Sequence, residues 1–178
     1  FAYMPKRKQI VTAGKKMHIF EYERTQNPMC ADDQPLFLAL YNPIFFTFIT
    51  AAGRNVKIWD ALTGSISKVF KNIVESEITA LCIDDRCRKL FIGTHKGSIM
   101  CFNYSNGAFV KSFVKHDAEV SGLMYTDEEM KLIISTSWDG TIRTMIDRDT
   151  SDGHNLKFKL LGSHPEDIKC SAYSKSLN

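Results

Sequence analysis

One pattern of ten residues occurs four times along the chain, and its spacing constrains the fold more than any other feature. Each copy is a short turn followed by an alternating apolar run with a large residue near its end. These large residues, which align without gaps, are Phe20, Trp59, Phe102 and Met145. They are separated by 39, 43 and 43 residues. Such a regular period predicts an array in which each repeat is one small structural unit.

The segments between the turns have the length and composition of β-strands. They are short, rich in Ile, Val, Phe and Thr, and bounded by glycine, proline and polar residues. No segment is a good candidate for a long amphipathic helix, so we predict an all-β protein with many short strands. The predicted strands cover residues 9–13, 17–22, 36–41, 45–51, 55–60, 66–70, 78–83, 89–94, 98–103, 109–114, 120–125, 131–136, 141–146, 156–161 and 168–174.

The period and two local motifs together resemble a known family. Residues 57–60 read Lys-Ile-Trp-Asp, and residues 135–143 read Ser-Thr-Ser-Trp-Asp-Gly-Thr-Ile-Arg. Residues 115–120 and 163–168 each place a histidine just before a predicted first strand. The chain is similar to the WD40-repeat family in all of these features, and its period is that of a propeller blade with four strands.

The resemblance implies a partial β-propeller of about four blades, each with four strands. The repeats are expected at about 1–33, 34–75, 76–117 and 118–164, with the start of a fifth repeat at 165–178. Members of the family typically close a ring of seven or eight blades, so four blades would form an open arc with uncovered flanks. We therefore expect a piece of a longer propeller protein, beginning mid-protein, whose flanks are covered by the rest of its own chain or by partners.

The resemblance also implies a hydrogen-bonded set of His, Ser, Asp and Trp side chains that ties the strands of a blade together. The fourth repeat matches three of these positions with His116, Ser135 and Asp139, but it has Met145 at the Trp position. The second repeat keeps Trp59. Buried polar groups must be paired, so these four residues are expected to form a structural network.

The same His, Ser and Asp types could also form a catalytic triad. A nucleophile needs an exposed pocket and an oxyanion hole, and these residues already have a structural role in the repeat. The sequence contains no glycine-rich phosphate loop and no helix motif for zinc peptidases. We therefore predict no catalytic residues, no cofactor and no enzyme activity.

Two metal sites are alternatives that the sequence leaves open. The five cysteines are odd in number and lack C-x-x-C spacing, which favours reduced thiols in a cytoplasmic protein. A zinc site from Cys82, Cys87 and His95 would match no standard spacing. Residues 147–153 resemble the start of a calcium-binding loop, but the twelfth position is Phe158 rather than glutamate. A polar loop between two strands is the preferred interpretation.

Charge and hydropathy exclude other classes of partner. Lys and Arg total 23, Asp and Glu total 20, and the net charge is +3, which is too small to indicate nucleic acid or an anionic membrane. The longest nearly apolar run covers residues 44–52, and a membrane-spanning helix needs about 20 residues.

One rim of the predicted blades is a candidate partner-binding surface. In the family, the turns between the second and third strands share a rim with the loops that join consecutive blades. Trp138 precedes Asp139 in its turn, and His95 has the equivalent position one repeat earlier. An exposed Trp beside basic residues is a typical anchor for a binding partner. The candidate residues are Lys15, Arg54, His95, Lys96 and Trp138.

The sequence therefore predicts a non-catalytic scaffold that binds other proteins within a large complex. The inference rests partly on the fold, which by itself does not determine function. The alternative is a module that recognises a peptide or a degron for an enzyme complex. The fourth repeat and residues 160–168 also resemble the divergent WD-repeat proteins of cilia and flagella, which implies a cytoplasmic protein of the axoneme.

Overall fold

The computed structural model describes the backbone of residues 2–4, 9–13 and 17–21, and the whole of residues 34–126, 131–147 and 158–173. The chain divides into two compact units, Phe1–Ala31 and Asp32–Asn178. No helix in the described ranges is long and apolar enough to cross a membrane.

The first unit contains one antiparallel sheet of three strands. They are β1 (Ala2–Met4), β2 (Gln9–Ala13) and β3 (Met17–Glu21), and β2 lies between the other two. The predicted strands at 9–13 and 17–22 therefore form, the second ending one residue earlier than expected. Lys15 and the rest of the turn after β2 lie outside the described residues.

The second unit consists of three antiparallel sheets, each with four strands in chain order. These three sheets are the second, third and fourth blades. The second blade contains β4 (Leu38–Asn42), β5 (Thr47–Ala52), β6 (Asn55–Asp60) and β7 (Ile66–Phe70); the third contains β8 (Ile78–Ile83), β9 (Lys89–Thr94), β10 (Ile99–Asn103) and β11 (Phe109–Ser112); the fourth contains β12 (Val120–Thr126), β13 (Leu132–Ser137), β14 (Thr141–Ile146) and β15 (Phe158–Ser163). The predicted all-β architecture is confirmed.

Two apolar clusters join the three blades side by side. The first lies between the second and third blades and includes Ile49, Ile58, Leu81 and Ile92. The second lies between the third and fourth blades, and its members include Phe91, Ile99, Val120, Ile133 and Met145. Successive residues of a strand point to opposite faces of its sheet, so on β9 of the third blade Ile92 packs into the first cluster and Phe91 into the second. The second unit is therefore an open arc of three blades rather than a closed ring.

Several strands begin or end one or two residues away from the predicted bounds, and three differences are described in detail. β5 begins at Thr47 rather than at residue 45, because the side chain of Asn42 accepts hydrogen bonds from the amides of Ile44 and Phe45 and holds them in a turn. β15 lies two residues later than expected, since its pairing with β14 joins Met145 to Phe158.

The third difference concerns the predicted strand at 168–174. Its described part, residues 168–173, is irregular and forms no backbone pairing with any of the described strands. One side-chain contact fixes its place instead, a hydrogen bond of 3.1 Å between the hydroxyls of Ser171 and Thr136.

Candidate interaction rim and its hydrogen-bonded network

The rim is built from glycine turns that the loops between blades cross closely. Gly97 and Gly140 have φ values of +83° and +74°, which disfavour any residue with a side chain. The His116 amide donates to the Gly97 carbonyl at 3.0 Å, and the His164 amide donates to the Gly140 carbonyl at 2.7 Å. A Cβ atom on either glycine would lie 2.3 Å from the histidine carbonyl oxygen that crosses it. The same crossing thus repeats in the third and fourth blades.

Equivalent backbone contacts fix the residues that begin these turns. The amide of His95 donates to the carbonyl of Glu77 at 2.9 Å, and the amide of Trp138 donates to the carbonyl of Glu119 at 2.9 Å. His95 and Trp138 therefore occupy corresponding places on the rim. Glu77 and Glu119 were not singled out from the sequence, although each directly precedes the first strand of its blade.

Three of the four proposed network residues meet beneath this rim. His116 is 1% exposed; its Nδ1 lies 2.8 Å from Asp139 Oδ2, and its Nε2 lies 2.8 Å from Ser135 Oγ. Asp139 also accepts hydrogen bonds from the amide of Asp117 at 3.1 Å and from the hydroxyl of Thr141 at 2.6 Å. The contacts suit a neutral imidazole that donates through Nδ1 and accepts through Nε2.

Arg143 completes the network and was missed in the sequence analysis. Its guanidinium donates to Asp139 at 3.2 Å, to the carbonyl of Lys115 at 2.9 Å and to the hydroxyl of Thr141 at 3.1 Å. Arg143 lies on β14, the strand on which Met145 replaces the expected Trp, and supplies hydrogen-bond donors there. The signal was its alternation with Thr141, which puts both side chains on one face of the strand.

Trp59 belongs to a separate set in the second blade. Its indole Nε1 donates to Thr50 Oγ1 at 2.8 Å, and the residue is 7% exposed. The structure therefore divides the four network residues into two sets, one in each of two blades.

Burial, rather than charge pairing, dominates the titration of His116. Burial lowers the pKa of His116 below its usual value, although the hydrogen bond that His116 donates to Asp139 opposes this shift. Burial by itself would raise the pKa of Asp139, but hydrogen bonds from Thr141, His116 and the Asp117 amide hold it far below its usual range. The pair is thus a neutral histidine beside a carboxylate at neutral pH.

This arrangement predicts that mild acid destabilises the protein through His116. The unfolded chain binds a proton near the ordinary histidine pKa of about 6.5, whereas the folded chain binds it only at lower pH. Stability is therefore complete above that pH and falls as the pH drops below it. Melting temperatures recorded from neutral to mildly acidic pH should decline less steeply for His116→Gln than for the unmodified protein. Parallel profiles would contradict the assignment. Asp139 does not interfere, since its contribution is lost only at much lower pH.

The candidate binding residues share the rim with Glu77 and Glu119. Trp138 is 42% exposed, and Arg54, His95 and Lys96 are also exposed. The His95 Nδ1 lies 2.5 Å from the Glu119 carboxylate, which fixes the orientation of the imidazole. His95 and Trp138 lie at equivalent positions in the turns of the third and fourth blades. Arg54 lies in the turn between β5 and β6 of the second blade.

Arg54 lines a cleft of about 440 Å³ on this rim. Its other walls are formed by polar side chains that include Asn72, Glu75 and Glu77. The cleft therefore presents both a cation and carboxylates, which suits hydrogen bonding to a polar peptide more than packing against an apolar ligand.

The zinc alternative does not fit the geometry. Cys87 and His95 lie beyond opposite ends of β9, a strand of six residues that spans roughly 20 Å. They cannot share a zinc ion with Cys82, which is buried. The described residues contain no group of three or more His, Cys, Asp or Glu side chains that could hold a metal.

The carboxylate that would begin a calcium loop already has cationic partners. Asp147 pairs with Lys111 at 2.7 Å and with Lys89 at 2.9 Å, and its side chain is 1% exposed. Asp149 and Asp152 lie outside the described residues.

A catalytic His and Ser would have to be accessible to substrate. His116 and Ser135 are instead buried, at 1% and 0% exposure.

Relatives with known names share both sequence and fold with this chain. The chain is 31% identical over 157 residues to "Cilia- and flagella-associated protein 337 B" of Tetrahymena thermophila, a match that covers 88% of the chain and 12% of the relative. It is 27% identical over 148 residues to "WD repeat-containing protein on Y chromosome" of Drosophila grimshawi, covering 77% of the chain and 12% of the relative. The chain is built of WD40 repeats. It spans 12% of the length of these two relatives.

Solved structures support the WD40 fold independently of sequence. The WD40 repeats of RRP9 superpose with a TM-score of 0.65 at 16% identity, covering 77% of this chain and 41% of that one. The computationally designed Ika4 protein superposes with a TM-score of 0.56 at 21% identity, covering 76% of each chain. No protein-family model matches the chain.

Proposed function

We propose that these WD40 repeats are a non-catalytic scaffold that binds other proteins within a multiprotein assembly. The observation that carries the proposal is the indole of Trp138, 42% exposed at the tip of a hairpin whose backbone is fixed by Glu119. A Trp side chain on a fixed backbone has only two side-chain torsions to order, so it loses little entropy on binding a partner. His95 and Lys96 extend the same surface onto the third blade, and Arg54 extends it onto the second.

The assembly that we propose is the ciliary or flagellar axoneme. The proposal is supported by the similarity to "Cilia- and flagella-associated protein 337 B" over most of this chain. A fluorescently tagged full-length protein should co-sediment with axonemes after detergent removes the ciliary membrane. Recovery in the detergent-soluble fraction alone would contradict the proposal.

The small net charge of +3 argues against nucleic acid or a membrane as the partner.

The repeats are proposed to occupy 1–33, 34–75, 76–117 and 118–164, with a fifth beginning at 165. The strands β4 to β15 fit three of these ranges. In this arrangement, further segments of the same protein cover the blade flanks, as a stacked repeat requires.

A second candidate function is recognition of a peptide or degron for an enzyme complex. The observation that favours it is the polar cleft beside Arg54, where Glu75 and Glu77 could accept hydrogen bonds from a basic or polar segment. Arg54→Ala would then abolish capture of a short peptide. A scaffold would instead keep its stoichiometric partners in this variant.

The scaffold proposal predicts that Trp138→Ala weakens partner capture by about 2 kcal/mol, or roughly 30-fold, while the fold stays intact. The measurement is quantitative co-purification with the full-length protein from cilia, together with its circular dichroism and melting temperature. Phe109→Ala is the matched control, since Phe109 is an exposed aromatic residue on the outer strand β11. Unchanged capture by Trp138→Ala, or loss of folding, would remove Trp138 from the binding surface.

A further inference from the structure

A second exposed surface lies at the opposite ends of the strands from Trp138. It consists of Ile44, Phe45 and Phe46 in the turn between β4 and β5, together with Leu62 in the loop between β6 and β7; we refer to these four residues as the lower patch. Their exposures are 51%, 49%, 60% and 89%. The Ala61 amide donates to the Phe46 carbonyl at 3.0 Å and joins the two loops. Contiguous apolar exposure of this kind marks interaction sites more often than scattered single residues do.

The lower patch is held rigidly by its own polar contacts. Asn42 Oδ1 accepts hydrogen bonds from the amides of Ile44 and Phe45, both at 3.1 Å. The Phe45 ring stacks on Tyr104 with centroids 5.6 Å apart. Asp60 Oδ1 accepts from the Leu62 amide at 3.0 Å. A preorganised surface loses less entropy when a partner binds, so rigidity and exposure together favour a docking role.

Phe46 adopts a backbone conformation that its burial does not explain. Its φ of +49° lies in the left-handed region that disfavours residues with side chains. The turn of the third blade has Cys87 at φ +53°, but that side chain is buried and contributes to packing. The Phe46 ring points mainly to solvent. The second and third blades thus share a left-handed residue in this turn, and in the second blade it presents an aromatic ring at the surface.

Positive charge borders the lower patch on the side of the third blade. Arg86 and Arg88 flank Cys87, whose thiol lies against the Ile44 amide, and the Arg88 carbonyl accepts from the Tyr104 amide at 2.9 Å. Both arginines are exposed. Neither guanidinium forms an ion pair with any residue in the described ranges. Their positive charge is therefore open to carboxylates of a partner.

The nearby carboxylates do not neutralise these arginines. Asp85 pairs with Lys131 at 3.3 Å. Asp60 accepts hydrogen bonds from its own turn, from the amides of Leu62 and Thr63. Among the described residues, the edge of the patch next to the third blade therefore keeps a positive charge with no carboxylate partner, beside exposed aromatic rings.

We propose that the lower patch docks a segment of a partner protein that carries apolar side chains next to Asp or Glu. Phe46 and Leu62 would contact the apolar residues, and Arg86 and Arg88 would pair with the carboxylates. The proposal concerns a surface separate from the Trp138 rim and does not depend on the ciliary assignment. An anionic bilayer and a second copy of the chain are the competing occupants.

The test is selection of a phage-displayed library of random peptides on the full-length protein, after depletion on the double variant Phe46→Ser/Leu62→Ser. We expect the surviving peptides to combine apolar residues with an excess of Asp and Glu over the starting library. A synthetic copy of one such peptide should bind the double variant at least about tenfold more weakly in fluorescence anisotropy, as for loss of interface anchors. Arg86→Glu/Arg88→Glu should reverse the selection toward peptides rich in Lys and Arg.

Three controls keep the proposal falsifiable. Phe46→Gly relieves the left-handed strain, so weaker peptide binding by this folded variant reports loss of the ring itself. Phe109→Ser and Trp138→Ala should leave peptide binding unchanged, which separates this site from the rim. The proposal is overturned if no peptide survives depletion, if survivors show no acidic excess, or if only vesicles of phosphatidylcholine and phosphatidylserine bind. Concentration-dependent self-association that the double variant abolishes, without peptide binding, would assign the patch to a second copy.

Discussion

Replacement of Trp59 by alanine is expected to lower the free energy of unfolding by about 3–5 kcal/mol, the usual range for a large aromatic residue in a core. Trp59 is 7% exposed. Strand pairing puts it in one row with Phe48 on β5 and Ile66 on β7, and Phe48 is in turn opposite Tyr41 on β4. The substitution therefore removes the central ring of a row that crosses all four strands of the second blade.

Hydrogen exchange of the β5 and β6 amides in the full-length protein measures this loss locally, without assuming two-state unfolding of a long chain. Trp59→Phe keeps most of the packing but removes the donor to Thr50, and should cost about 1 kcal/mol. Trp138→Ala should leave the same amides protected. If both Trp59 variants exchange like the unmodified protein, the second blade does not depend on this row.

The second large effect is expected for Asp147→Asn, with a loss of about 3 kcal/mol, because breaking a buried ion pair leaves its cations without a counter-charge. Asp147 lies 2.7 Å from the Lys111 ammonium and 2.9 Å from that of Lys89. Tyr125 donates its hydroxyl hydrogen to the same carboxylate at 3.3 Å. The lysines come from the third blade and Asp147 from the fourth, so this cluster fixes one blade against the next.

The ionisation of Asp147 gives the sign of its pH dependence. Burial by itself would raise the pKa of Asp147, but Lys111 and Lys89 together hold it below its usual value. The contribution is complete above the ordinary aspartate pKa of about 3.9 and is lost as the pH falls through the lower folded value.

Asp85→Asn is the matched control for this cluster. It removes the carboxylate from an ion pair with Lys131 in which the two side chains are 25% and 38% exposed. Exposed pairs of this kind contribute about 0–1 kcal/mol. Melting temperatures of the two variants should therefore differ clearly, and calcium should change neither. Equal shifts would mean that Asp147 is not the buried link between the blades.

The local pattern of the chain determined most of its strands. β6, β7, β8 and β9 begin and end at the predicted residues, because alternating apolar residues and the glycine of each turn specify a hairpin within about ten residues of sequence. The set of His116, Ser135 and Asp139 was also predictable, since its members keep fixed positions within a repeat.

Only the tertiary structure decided how the polar residues between repeats are used. From the sequence, Asp147 read as the first residue of a polar loop, but it is buried against Lys89, 58 positions earlier in the chain. Arg143 was not expected to reach Asp139, and residues 45 and 46 were predicted as the beginning of a strand. The physical reason is that neighbouring blades dock through side chains far apart in sequence, so burial, ion pairing and exposure at these positions depend on contacts that no local pattern encodes.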